Sequence, residues 1–331
     1  MLAPYKERMA IKQTAPDTYE VQFHDDWTVG MVVLGTAQAA QLYHAAETHL
    51  ALDPKLKAIN QPDIHSIHVE FLRPGAAAEC TIKVQTLKIG PLSSTLQLHL
   101  IQDDKLRALA IVTTTNFDKD VGPSASAGWN LCPPAQPKPD FQAMRAGKVD
   151  ANGYLPILSD NGFAPQLATY LYTHTSDVRH PKNIYEAWMA KKTGDHFDNL
   201  AVMLLPDSVP AMHDGLMQEG APYELANFMK NARASYEANG GPAVVKTTMK
   251  QLMKIRYSHY HLSMSYIFKK RLPAQGLEWV LVRSHTKGLD KGRMEVDLEM
   301  FDENMDLLCV NRQNIIVNDM ARKFKKQKAS L

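Results

Sequence analysis

Residues 36–52 read TAQAAQLYHAAETHLAL, and behind them stand IHSIHVEFL (64–72), ECTIKVQTLKIG (79–90), STLQLHLIQD (94–103) and LRALAIVTTTNF (106–117). The first stretch is rich in Ala, Leu and Gln, with apolar residues at helical spacing, and predicts one long helix buried on at least one face. Asp53-Pro54 ends it, because a proline disfavours helix in the residue before it. The four segments after it alternate or are rich in β-branched residues and predict strands, separated by RPG, GPLS and DDK turns. Upstream, TYEVQFH (18–24) alternates as a further strand, and HDDWTVG (24–30) reads as a turn. One helix followed by four strands, with a strand in front, fits an antiparallel sheet around a central helix, an α+β arrangement.

The same order recurs further along. NLAVMLLPDSVPAM (199–212) supplies a helix position, and YSHYHLSMSYIF (257–268), LEWVLVRSHTKG (277–288), RMEVDLEMFD (293–302) and LLCVNRQNIIVN (307–318) alternate as strands. Residues 213–250 add helical and loop material between them. Between the two sets the segment VGPSASAGWNLCPPAQPKPD (121–140) carries Pro133, Pro134, Pro137 and Pro139, which remove backbone donors and forbid helix, so it reads as an extended connector. The expected organisation is a front unit over 1–122, a Pro-rich connector over 123–158, a back unit over 159–320 with its insertion near 213–250, and a basic tail over 321–331. Two separate cores are expected from this division.

Composition narrows the function. The chain has 331 residues, 37 Lys+Arg and 35 Asp+Glu, for a formal net charge of +2. This balance argues against nucleic acid as a partner, which favours a strong basic excess. No apolar run approaches the ~20 residues that cross a bilayer, and the opening MLAPYKERMAIKQ has no apolar leader core. Cys80, Cys132 and Cys309 are scattered and odd in number, which suggests a reducing compartment rather than disulfides or zinc. His24, His65, His68, His213 and Asp214 lack metal-ligand spacing, so no metal is expected. Neither a Gly-rich phosphate loop nor a GxSxG elbow is present, which removes kinases, Rossmann dehydrogenases and α/β-hydrolases.

HSIHVEFLRPG (65–75) followed by a strand into KIGPLSSTLQLHLIQ (88–102) resembles the first half of the double-hotdog acyl-CoA thioesterase-like superfamily. LPAQGLEWVLVRSHTKGLDKGRMEVDLEMFDENMDLLCVNRQNIIV (272–317) resembles its closing segment, with a Trp-containing strand, a Gly-Arg turn, an acidic turn and a final strand in that order. The DDWTVG before the first helix is similar to the fungal thioesterase-like members, and the likeness covers roughly 15–120 and 160–318. The resemblance implies two fused hotdog units, each a long helix wrapped by an antiparallel sheet, with the sheets running on across a pseudo-twofold. It also implies a cytosolic protein that needs no separate cofactor, meets coenzyme A only as part of its substrate, and in some relatives works on an acyl carrier protein or assembles into homo-oligomers.

In the better-known double-hotdog thioesterases an Asp on the second helix, a Thr on the following strand and a Gln on the last strand do the chemistry. Carried over, the Asp falls on Asp207 in LLPDSVP and the Gln on Gln313 in NRQN. The Thr position falls on His259 if Ser263 aligns with a family serine, and on His261 if the alignment slips by two. Strand alternation places His259, His261, Ser263 and Ser265 on one face, so either histidine would point the same way. A His there can orient water or take a proton near neutral pH. Asp207 beside Pro206 also suits a turn, Gln313 an alternating surface position, and His259 a hydrogen-bonded strand residue. Trp27 is placed to line an acyl slot or to pack, and Gly35-Thr36 at the helix start to let a ligand approach the backbone or to ease helix packing. Lys269-Lys270-Arg271 suits coenzyme A phosphates, the acidic face of a carrier protein, or a solvated turn. Hydrolysis of an acyl or polyketide thioester is the expected reaction. The same fold also serves dehydration, isomerisation or cyclisation of a polyketide- or terpenoid-like intermediate, and silent binding of an acyl chain.

Overall fold

A computed structural model of the chain describes residues 5–125, 128–161, 169–175, 181–211, 225–247 and 256–319. The basic tail, His213, Asp214 and much of the 213–250 insertion lie outside the described residues. The front half opens with helix α1 (Tyr5–Arg8), strands β1 (Ile11–Ala15) and β2 (Thr18–Gln22), a tight helical turn over Asp25–Trp27, and the short strands β3 (Thr28–Val29) and β4 (Val32–Val33). Helices α2 (Gly35–Leu52) and α3 (Pro54–Ile59) precede β5 (Asp63–Phe71), β6 (Glu79–Lys88), β7 (Thr95–Gln102) and β8 (Lys105–Thr115). After α4 (Phe141–Arg145) come β9 (Tyr154–Asn161), β10 (Tyr170–Thr175), β11 (Ile184–Lys191), α5 (Asn199–Leu204), α6 (Leu225–Asn239) and β12 (Ala243–Thr247). The chain then completes β13 (Tyr257–Phe268), β14 (Val280–Asp290), β15 (Arg293–Phe301) and β16 (Leu307–Asp319).

Asp53-Pro54 ends α2 as expected, and Asp53 then caps α3 by accepting from the N–H groups of Lys55 and Leu56, both at 2.9 Å. α2 is buried almost all round: Ala37, Ala39, Ala40, Leu42, Ala45 and Ala46 are all fully enclosed. Alanine permits this, since its small side chain lets the sheet and a second helix approach from different sides. α2 packs against β5–β8 and against α5. The strands form one 14-stranded sheet in the order β1-β2-β6-β7-β8-β5-β13-β16-β15-β14-β11-β10-β9-β12. Its neighbours are antiparallel except β9 and β12. The halves join where β5 pairs with β13, and the seam is symmetric: Ser263↔Glu70 and Ser66↔Ile267 flank the His68↔Ser265 pair.

The two expected cores are one. A continuous apolar cluster runs from Met9 to Ile315 and includes both central helices, because both lie on the same face of an unbroken sheet and bury their apolar sides against each other. A smaller cluster of Met144, Tyr154, Leu171, Trp188, Ala190, Trp279, Leu281 and Phe301 is separate. The Pro-rich connector covers it: Phe141 stacks on Trp279 at 4.5 Å and meets Trp188 edge-on at 5.1 Å, while Leu131 and Ala135 pack alongside. Buried Arg283 pairs with Glu186 and donates to the carbonyls of Pro133 (2.6 Å) and Pro134 (3.2 Å). The connector is therefore a packed strap rather than a free linker, and α4 and the start of β9 fall within the 123–158 stretch. β10 is buried at every position, which is why alternation does not reveal it in the sequence.

Two cations of the basic run after β13 are engaged by carboxylates, while Lys269 is exposed. Arg271 donates to both carboxylate oxygens of Asp63 (2.7 Å each) and to Asp118 (2.6 Å), so it clamps the back half to the front. Lys270 is held by Asp302 (2.7 Å) and Asp306 (2.9 Å). Among the described residues no helix is long and apolar enough to cross a membrane.

Candidate active site

Asp198 caps α5 by accepting from the Ala201 N–H at 2.9 Å, and after its six residues the helix tightens into a turn over Leu205–Ser208 with Pro206 near its start. That turn aims Asp207 at the beginning of α2 in the other half. Its Oδ2 accepts from the Thr36 N–H (3.2 Å) and the Thr36 Oγ1–H (2.7 Å). The first-turn amides of a helix have no intrahelical acceptor, and the positive end of the helix favours an anion there. The other oxygen, Oδ1, lies 3.6 Å from His261 Nε2. Both side chains are at most 10% exposed. His261 Nε2 is also 3.1 Å from Gln313 Oε1, and Gln313 donates from Nε2 to Asn311 Oδ1 at 2.9 Å. Asp207, Gln313, His261 and Thr36 thus meet in one buried polar cluster between the two halves.

His261, not His259, is the histidine set against Asp207 and Gln313. The ring of His259 stands edge-on behind it, 5.6 Å away. The expectation of a single face for His259, His261, Ser263 and Ser265 fails at a β-bulge. His261 pairs with Ile315 and Ser263 with Asn314, which leaves Leu262 unpaired and 47% exposed. One inserted residue inverts the alternation beyond it. Ser263 and Ser265 therefore face away from the cluster: Ser263 Oγ accepts from Asn314 Nδ2 (2.9 Å), and Ser265 Oγ meets His68 Nδ1 (2.7 Å). Met264 takes the inward position opposite Gln313.

Gly35 has a steric reason. A Cβ there would come within 3.0 Å of His261 Nδ1 and 3.3 Å of the Phe71 ring. Trp27 is buried in the core, with the Arg8 guanidinium 4.6 Å over its ring and Arg8 paired with Asp26. Its carbonyl accepts from the Leu34 N–H (2.9 Å), which sets the entry to α2. Two neighbours escape the sequence reading. Tyr170 is buried near Asp207, and burial pushes its hydroxyl up to about 12 while a hydrogen bond with Ser208 acts the other way. Asn311 is the second; only its place two residues before Gln313 on one strand, hence on the same face, marks it. Among the described residues no three His, Cys, Asp or Glu side chains are grouped to hold a metal ion.

The cluster is not duplicated across the seam. β5 carries a matching irregularity between Ile64 and Ser66, as β13 does between His261 and Ser263. Under that symmetry Ile64 stands where His261 does. Val112, opposite Ile67, stands where Gln313 does, opposite Met264. Apolar side chains thus stand at both positions in place of the imidazole and the amide.

The sequence matches the acyl-CoA thioesterase N-terminal domain over residues 23–116 and the acyl-CoA thioesterase C-terminal domain over 133–317. The chain belongs to the acyl-CoA thioesterase family. Among its relatives, the thioesterase-like protein TwmA of Talaromyces wortmannii is 23% identical, over 99% of this chain and 96% of its own. Solved structures share the fold. A hot dog fold protein of Alicyclobacillus acidocaldarius superposes with a TM-score of 0.66 at 12% identity, covering 96% of this chain and 99% of that one. A thioesterase II TesB2 of Mycobacterium marinum gives 0.57 at 14% identity, covering 95% and 98%. This thioesterase-family chain is thus a double hotdog, and its polar cluster sits where the front helix begins and the back helix ends.

Proposed function

We propose that this chain hydrolyses an acyl thioester, borne by coenzyme A or by a carrier protein, at the Asp207–His261–Gln313 cluster. The observation that supports the reading is the convergence of a carboxylate, an imidazole and an amide on the start of α2, inside a core that is otherwise largely apolar. The thioester carbonyl would lie at the first turn of α2, where amide N–H groups and the helix dipole stabilise the oxyanion that forms on attack. The Asp207–His261 pair takes a proton from the attacking water, and the carboxylate offsets the charge that the ring gains. Gln313 holds the ring, and Gly35 leaves space over it. The family places a Thr among these groups, and His261 stands in that role here.

Asp207→Asn removes the negative charge and keeps the shape, so thiol release from a panel of acyl-CoAs is expected to fall ~10²–10⁴-fold with an unchanged circular dichroism spectrum. A rate equal to wild type would take Asp207 out of the mechanism. The His in place of Thr also favours a second reading, acid–base chemistry such as dehydration, isomerisation or cyclisation on a bound polyketide- or terpenoid-like intermediate. Absence of thiol from every thioester tried, with a copurifying ligand in hand, would move the assignment there.

A further inference from the structure

Asn311 is fully buried in β16 and donates from Nδ2 to the main-chain carbonyl of Ser265 at 3.1 Å. A carbonyl only accepts, so the amide nitrogen of Asn311 must lie on that side and its oxygen on the other. That oxygen accepts from Gln313 Nε2 (2.9 Å), which turns Gln313 Oε1 toward His261 Nε2 (3.1 Å). An amide oxygen also only accepts, so the neutral imidazole carries its proton on Nε2 and its lone pair on Nδ1. Asp207 Oδ1, 3.6 Å from Nε2, adds a negative charge on the protonated side. Nδ1 faces the start of α2, and the missing side chain of Gly35 leaves room beside it, since a Cβ would lie 3.0 Å away.

We infer that Asn311 is a positioning residue that sets the tautomer of His261 through Gln313, so that Nδ1, beside Gly35, is the atom that takes the proton from water. The catalytic half of this inference rests on the hydrolase reading above; the tautomer does not. In the step, a water O–H bond breaks, its proton goes to Nδ1, and its oxygen bonds to the thioester carbonyl carbon. The adduct then collapses: the C–S bond breaks and the leaving thiolate takes the proton back from Nδ1. Thioester and water become carboxylic acid and thiol.

Long-range proton–nitrogen spectra of protein labelled with ¹⁵N-histidine, with the His261 signals identified by their loss in His261→Gln, test the assignment directly. The neutral ring of the wild type is expected to be protonated at Nε2; a ring protonated at Nδ1 overturns the inference whether or not any variant folds. Asn311→Leu frees the Gln313 amide to turn over, so the Nδ1–H form should appear and kcat should fall ~10–100-fold with KM little changed. A tautomer unmoved in folded Asn311→Leu overturns the role of Asn311. Gly35→Ala should keep the Nε2–H ring and lose thiol release, and an unchanged rate there would dismiss Nδ1 as the proton acceptor. If no thioester is hydrolysed by wild type although the ring is Nε2–H, the hydrolase reading falls while the assignment of Asn311 stands.

Discussion

Thr36 joins the two halves through a single carboxylate oxygen, giving Asp207 Oδ2 both its N–H and its hydroxyl. The backbone bond survives any substitution, but the hydroxyl bond, at 2.7 Å to a charged acceptor, does not. Bonds of that kind are worth about 1.5–3 kcal/mol. Thr36→Val should therefore lower thiol release ~10–100-fold, and Thr36→Ser should retain most of it; steady-state rates of the two variants check this. His174 makes a pH prediction. Tyr185 donates to its Nε2 at 2.8 Å, and burial lowers the ring to about 4 from the ordinary 6.5. The unfolded chain takes up that proton first as pH falls. Stability is thus undiminished above about 6.5 and drops as the pH falls toward 4, by on the order of 3 kcal/mol. His174→Gln keeps an acceptor for Tyr185 without titrating. Its stability deficit in urea at about pH 7 should shrink by that order near pH 4; a constant deficit would refute a buried neutral ring.

Among the elements, β13 is where alternation and geometry part company. YSHYHLSMSYIF reads as an unbroken strand, and its inward set would be His259, His261, Ser263 and Ser265. The extra residue Leu262 divides that set and leaves His261 facing inward with Met264 and Tyr266, whose hydroxyl donates to the Met203 carbonyl at 2.7 Å. No glycine or proline marks the bulge, so local chemistry does not announce it; the pairing with β16 imposes it. The loop after β13 is held by Arg271 on Asp63 and Asp118. Arg271 is partly exposed, and Asp63 also accepts from the Phe117 N–H. Arg271→Leu should therefore cost about 1–2 kcal/mol in denaturant unfolding, well short of the loss of a fully buried pair.

At the scale of the molecule, an unbroken sheet with both helices on one face leaves neither half an independent core. Separating the halves would expose the apolar faces of α2 and α5 and the seam edges of β5 and β13, at roughly 25 cal/mol per Å² of apolar surface. Calorimetry should show one transition, with calorimetric and van't Hoff enthalpies equal. Two resolved transitions would mean that the halves fold apart. The strap over Trp188 and Trp279 belongs to the same unit, since Arg283 ties it to β11 and β14 from a buried position.

Periodicity and residue type made the helix–strand order and its repetition readable from the letters alone, because those properties depend on neighbours a few residues away. Asp207 and Gln313 were marked as candidates only by the resemblance to a known family. Local rules could not number the cores, choose His261 over His259, turn Ser263 away, or leave Ile64 and Val112 where a second site would stand. Each of those depends on which strand lies beside which and in what register. Groups more than a hundred residues apart in the chain, Thr36 with Asp207 foremost, become partners only when the two sheets close into one.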